Sequence, residues 1–325
     1  MTASKHLIAL LKSHIEKDDD QFLSVAMQVA AHEARKGHGN VAQQLRELVD
    51  EARQGRVKTA RRPVPIAKPK GELAELVSVS FSDTRLKNMA LTTQLQNRLN
   101  RVLTEQRQQH KLTERGLRPR RKLLFVGPPG SGKTMTASAM AGELRLPLFN
   151  VVFHTLITRF MGETASKLRV IFDAMEETRG VYFFDEFDAI GARRTERNDV
   201  GEIRRVLNSF LQFLEQDESD GLIIAATNHA ELLDPALFRR FDDVIEYELP
   251  GENEIFEILR SRLVGFETRS VNWERVIKQA LGLSQAQISR VADEAAKQAL
   301  LSNRESVTNK DLLLFVEERR SAELR

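Results

Sequence analysis

The chain is 325 residues long, with 41% hydrophobic and 29% charged residues, the balance of a soluble globular protein large enough for two domains and a small third. It has no cysteine, which excludes disulfides, thiolate catalysis and Cys-ligated metal centres. The formal net charge is +3, yet residues 53–70 hold seven Lys or Arg and no acid. The remainder is therefore slightly acidic and does not favour a broad nucleic-acid-binding face. No run approaches the roughly 18–20 apolar residues of a membrane span. The start, MTASKHLIALLKSHIEKDDD, is too charged and too short in its apolar run for a secretory signal, so the expected compartment is the cytoplasm.

Residues 1–53 read as a helical module, because Leu7, Leu10, Leu11 and Ile15, then Phe22, Val25, Ala26 and Val29, then Val41, Leu45, Leu48 and Val49 fall at helical spacing. Residues 54–71, QGRVKTARRPVPIAKPKG, combine proline with like charges and read as an extended basic linker. From residue 72 to 250 helical patterns over 85–111, 132–144, 163–178 and 201–216 alternate with short apolar runs. Those runs, Leu123–Val126, Leu148–Val152, Val181–Phe184, Leu222–Ala226 and Val244–Leu249, are the strand candidates. Buried strands separated by helices imply a largely parallel sheet covered on both faces. Beyond Pro250 the strand signals stop, and residues 251–325 read as a helical domain.

The segment Gly127-Pro128-Pro129-Gly130-Ser131-Gly132-Lys133-Thr134 fits G-x-x-x-x-G-K-[ST]. It follows an apolar strand and opens a helix, with Met135 just inside, which is the context of a phosphate-binding P-loop. Glycines let backbone N–H groups curl around phosphate oxygens, and the helix N-terminus adds its positive end. Lys133 is the point charge for the outer phosphates, and the Thr134 hydroxyl is a candidate ligand for Mg2+. Some fifty residues on, four apolar residues end in Asp185-Glu186. Asp185 is the second candidate metal ligand, and Glu186 the candidate base for the attacking water.

GPPGSGKT, YFFDE, AATN and LDPALFRRFD, in this order and spacing, resemble the AAA ATPases, especially the clade of katanin, the proteasomal ATPases and the AAA proteases. The resemblance covers roughly residues 80–320. It implies a P-loop α/β fold with a C-terminal helical lid, ATP and Mg2+ as ligands, and a homo-oligomeric ring of usually six subunits. Asn228 then matches the sensor 1 residue that bonds the attacking water. Arg239 and Arg240 match the arginine fingers reaching a neighbour's nucleotide, although the usual Pro-Gly between them is absent. Gly282 and Ala286 match a lid turn beside the base and ribose. Phe160, Met161 and Gly162 match a pore loop that grips an extended polypeptide through ring and flexible side chains. The charged stretch 193–205 is equally a second pore loop or a solvated helix face.

These readings lead to an ATP-hydrolysing ring motor that remodels, unfolds or translocates protein substrates. Recruitment would run through residues 1–53, for a separately encoded partner if degradation is the outcome, since no protease signature is present. Two rivals remain. A nucleic-acid motor or loader would draw on the linker and on Arg118–Lys122, and a nucleotide-controlled assembly switch would not need the hydrolytic residues. The seven histidines show no ligand spacing.

Overall fold

The computed structural model describes residues 71–160, 162–190 and 200–323, with scattered positions between 25 and 69. The chain divides into two compact units, residues 1–66 and 67–325. In the first, the described residues at 25–27, 29–30, 41–43, 46 and 49 are helical, and Val25, Ala26, Ala30, Ala42 and Val49 are buried. Most of the expected helical module and almost all of the expected linker lie outside the described residues.

Numbered from residue 73, the second unit runs α1 (Leu73–Leu76), β1 (Ser78–Ser80), α2 (Thr93–Arg107), α3 (Gln109–Thr113), β2 (Lys122–Val126), α4 (Lys133–Leu144), β3 (Leu148–Val152), α5 (Phe153–Arg159), α6 (Thr164–Glu177), β4 (Val181–Asp185), α7 (Val200–Gln216), β5 (Leu222–Thr227), α8 (Pro235–Phe238) and β6 (Asp243–Glu246). Four further helices follow: α9 (Glu252–Arg262), α10 (Trp273–Ala280), α11 (Gln285–Leu301) and α12 (Asn309–Glu323). The strand order is β1-β3-β4-β5-β2-β6. Every neighbouring pair is parallel except β1 with β3. The three-residue β1 is Ser-Val-Ser, with no apolar run to announce it.

Successive residues of the central strands bury opposite faces, as a covered parallel sheet requires. On one face Leu124, Tyr182, Phe184, Ile223 and Ala225 meet α6 and α7. There Phe210 sits fully buried, its ring 4.9–5.8 Å from those of Phe153, Phe172, Phe184 and Phe187. Such edge and tilted pairs exploit the ring quadrupole, and truncating one ring to alanine costs about 3–5 kcal/mol. On the other face Leu123, Phe125, Val181, Phe183 and Ile224 pack against α2 and α4. Residues 251–323 form a separate core around Ile255, Leu259, Val276, Ile288, Val291, Ala295, Leu312 and Val316.

Two expected boundaries change. The helix expected over 85–111 begins only at Thr93, where the Thr92 hydroxyl accepts from the Leu95 N–H at 3.3 Å. That cap satisfies an orphan donor and starts the helix there. Residues Leu86–Asn88 form a single 3-10 turn, and Met89 is extended. The strand expected to reach Leu249 ends at Glu246, one residue short of a last bond from Tyr247 N–H to the Val126 carbonyl at 2.7 Å.

Candidate active site

Strands β4, β5 and β2 are adjacent and parallel, so their carboxyl ends open together at one edge of the sheet, where open α/β folds take their ligands. From that edge project Asp185 and Glu186, then Asn228, then the P-loop. Helices α9 and α11 face them across a cleft of about 1380 Å³. Of the expected phosphate-cradle residues, Pro129, Gly130, Gly132, Lys133, Thr134 and Met135 line this cleft, with Asp185, Glu186, Asn228 and Ala286. Gly127, Pro128 and Ser131 do not line it. Gly282 does not line it, and a methyl group built there would meet nothing within 4 Å.

Gly127 is required by close approach, because a Cβ on it would come within 2.3 Å of the Tyr247 carbonyl oxygen. Lys133 is nearly buried at 6% exposure. Its ammonium donates to the carbonyls of Gly127 at 2.7 Å and Pro128 at 2.9 Å, and to the Asn228 side-chain oxygen at 2.8 Å. Burial pushes its pKa down to about 8, with Asp185 and then Asp188 opposing the shift. The Thr134 hydroxyl donates to the Asp185 carboxylate at 3.0 Å.

Two hard oxygen donors from the ends of α4 and β4, beside a phosphate cradle, form the donor set that Mg2+ takes when substrate phosphates and waters complete its shell. Among the described residues no cluster of three His, Asp or Glu could hold a metal without such help. Glu186 has a left-handed backbone, φ 55°, and its N–H bonds the Asp185 carboxylate at 2.9 Å. A non-glycine residue pays about 1–2 kcal/mol for that conformation, and here it turns the second carboxyl into the cleft at the point where the strand ends.

Asp188 was not singled out in the sequence, where its only signal is its place two residues after the acidic pair. Its carboxylate accepts from the Asn228 N–H at 3.3 Å and the Thr227 hydroxyl at 3.4 Å, fixing the end of β5. Met89, Ala90, Leu91, Ile258 and Arg290 also line the cleft. The first three fall in the stretch expected as helix, so periodicity concealed them.

Arg239 and Arg240 do not line the cleft. Both are exposed, but Arg240 is ion-paired to Glu215, whereas Arg239 has no ion pair among the described residues. Phe160 is half-buried against the aromatic core rather than free on a turn. Two cations lie over its ring, the Arg159 guanidinium and the Lys167 ammonium, each 5.1 Å from the ring centroid. Gly162 is exposed, and Met161 lies outside the described residues. So do residues 193–199 of the charged stretch, while α7 begins at Val200.

In the basic run Arg118–Lys122, three of the four cations are engaged by internal partners. Arg121 pairs with the buried Asp217, Arg120 with Glu105 at 2.8 Å and Asp243 at 3.4 Å, and the Lys122 ammonium bonds the Leu214 carbonyl. Only Arg118 stands out at 82% side-chain exposure, and it faces Glu218 at 3.5 Å. Among the described residues no helix is long and apolar enough to cross a membrane.

The family model described as "ATPase family associated with various cellular activities (AAA)" matches residues 123–249, the span from β2 through the end of the sheet. An uncharacterized AAA family ATPase of Sinorhizobium fredii is 33% identical over 295 residues, covering 90% of this chain and 88% of that protein. A proteasome-activating nucleotidase of Thermococcus onnurineus is 34% identical over 256 residues, and one of Saccharolobus islandicus 39% identical over 213 residues. The alignments span 63% and 53% of the length of these two nucleotidases. The chain belongs to the AAA ATPase family, and it is a nucleotide-binding, ATP-hydrolysing enzyme.

Proposed function

We propose that this ATPase is a ring-forming, most simply hexameric, cytoplasmic motor that remodels, unfolds or translocates protein substrates. The observation that carries the reading is the division of the candidate hydrolytic set. Lys133, Thr134, Asp185, Glu186 and Asn228 converge on one cleft, whereas Arg239 stands outside it with no ion pair among the described residues. In this reading Arg239 lends its guanidinium to the cleft of a neighbouring copy, adding to the cations, Lys133 and Arg290, that line each cleft itself. The names of the two archaeal nucleotidases support a protein-directed task for the related part of this chain.

In this reading Lys133 and the loop from Gly127 to Met135 hold the triphosphate, and Ala286 closes over it from the lid. Thr134 and Asp185 hold Mg2+, which would neutralise phosphate charge when bound. Glu186 takes the proton of the attacking water, and Asn228 orients that water. Phe160, with Met161 and Gly162, meets the polypeptide, and residues 1–53 recruit it or a separate effector. The nucleic-acid alternative loses support because Arg120 and Arg121 are spent on internal carboxylates. The test is steady-state ATPase measured alone, with unfolded protein and with DNA or RNA, alongside capture of ligands on a Glu186→Gln ring. Stimulation by protein and retention of polypeptide support the motor; salt-sensitive stimulation by nucleic acid alone overturns it.

A further inference from the structure

We propose that Gln285 is a positioning residue that latches the lid onto both walls of the nucleotide cleft and sets how long nucleotide stays bound. The inference rests on the reading of the cleft as the nucleotide site. Gln285 is the first residue of α11, behind an N-cap in which the Ser284 hydroxyl accepts from the Gln287 N–H at 3.3 Å and the Gln287 side chain accepts from the Ser284 N–H at 2.6 Å. This reciprocal box fixes the first turn of the helix, and with it the direction in which Gln285 leaves the backbone.

From there the side chain reaches two segments remote in sequence. Its amide nitrogen donates to the Ala90 carbonyl at 3.2 Å, a bond spanning 195 positions. Its amide oxygen packs on the P-loop, where a methyl group built on Gly132 would lie 2.9 Å away. Next to it, the Ala286 N–H donates to the Gly130 carbonyl at 3.1 Å, so an orphan donor of the helix start is satisfied by the P-loop itself. Ala90 in turn packs against the lid core. Gln285 also lines a second, smaller cavity of about 180 Å³ beside Tyr247 and Glu254, and so forms part of the partition between the two spaces.

Opening the lid far enough to release nucleotide separates α11 from Gly130 and Ala90, and both bonds break together. The Ala286 bond is main chain and survives substitution; the Gln285 bond does not. Losing one neutral hydrogen bond changes such an equilibrium by roughly 3–10-fold. Because the bond lies away from Glu186 and Asn228, the effect should fall on binding and release rather than on the chemical step.

The experiment uses the full chain with a fluorescent ADP analogue, comparing wild type with Gln285→Ala and with Gln285→Met, which keeps the length and the packing on Gly132 but cannot donate. Both variants should release the analogue roughly 3–10-fold faster and raise KM for ATP by a similar factor, without lowering kcat and with an unchanged thermal midpoint. An unchanged release rate in both overturns the proposal, as does a fall in kcat at constant KM. If the alanine variant does not fold, the methionine variant decides alone. Lys133→Ala is the control for the site: normal binding of the analogue by that variant would reject the cleft assignment, whatever Gln285 does.

Discussion

The Lys133 ammonium donates to the Asn228 side-chain oxygen across 2.8 Å, joining residues 95 positions apart. The same ammonium holds two P-loop carbonyls, so one cation ties the loop after β2 to the end of β5. A triphosphate in the cleft would compete with Asn228 for that cation.

Removing that donor and removing the base should separate binding from chemistry. Lys133→Ala is expected to abolish ATP binding. Glu186→Gln is expected to bind ATP and turn over at least roughly 100-fold more slowly, the loss typical of a general base. Equilibrium binding of labelled ATP and single-turnover hydrolysis check the pair. Near-normal turnover by Glu186→Gln would remove it from the chemistry.

The depressed pKa of Lys133 gives a pH signature of its own. Without nucleotide the ammonium loses its proton around pH 8, about where burial sets it. Phosphate oxygens beside it favour the charged form and raise that value. Between the two values the complex holds more protons than the free protein, so ATP binding takes up protons, and affinity falls as pH rises above about 8. Calorimetry at pH 8.5 in buffers of different ionisation heat should register uptake of most of one proton per site. No net uptake would mean that the ammonium is already charged at that pH.

The P-loop, the acidic pair and the five main strands were readable because each is set by local chemistry. Apolar runs bounded by breakers mark buried strands, and glycines with a lysine mark a phosphate cradle. Strand β1 escaped because two of its three residues are serine and its pairing comes from β3, not from its own pattern. Met89–Leu91 escaped for a related reason: flanking apolar residues mimic helical spacing, and only the Thr92 cap shows where the helix starts. The internal pairing of Arg120 and Arg121 depends on Glu105, Asp217 and Asp243, up to 123 positions away. No window along the chain contains that information.

The two adjacent arginines are expected to part company. Arg240 is held by Glu215, whereas Arg239 is exposed with no ion pair among the described residues. As a finger acting on a neighbour's phosphate, Arg239→Ala should lower kcat by about 10³-fold or more, while Arg240→Ala should cost far less. Mixed rings of Arg239→Ala with Lys133→Ala chains should regain activity, because the former supplies an intact cleft and the latter an intact finger. Mixed rings as inactive as their components would place Arg239 outside the active site, and a larger loss in Arg240→Ala would exchange the two roles.

Phe160 offers a direct choice between substrate classes. Arg159 and Lys167 lie over its ring, and those cations are in turn held by Glu75 at 3.3 Å and Glu72 at 2.5 Å. A cation over a ring at a partly exposed site contributes about 0.5–1 kcal/mol, enough to bias the orientation of the side chain without burying it. The ring is half-buried and does not line the nucleotide cleft. Phe160→Ala should therefore spare nucleotide binding and basal hydrolysis while abolishing protein remodelling, and Phe160→Tyr should retain much of the activity, since ring area is preserved. The rival needs a different probe from the whole basic run, because neutralising Arg121 would strand the buried Asp217 and cost about 3–5 kcal/mol in stability alone. Arg118 is the clean choice, being 82% exposed with only Glu218 opposite. Assayed side by side for remodelling of an unfolded protein, Phe160→Ala should fail and Arg118→Gln should work. Full remodelling by Phe160→Ala would remove that ring from the grip, and ATPase stimulation by DNA or RNA that is kept in Phe160→Ala and lost in Arg118→Gln would favour the nucleic-acid rival.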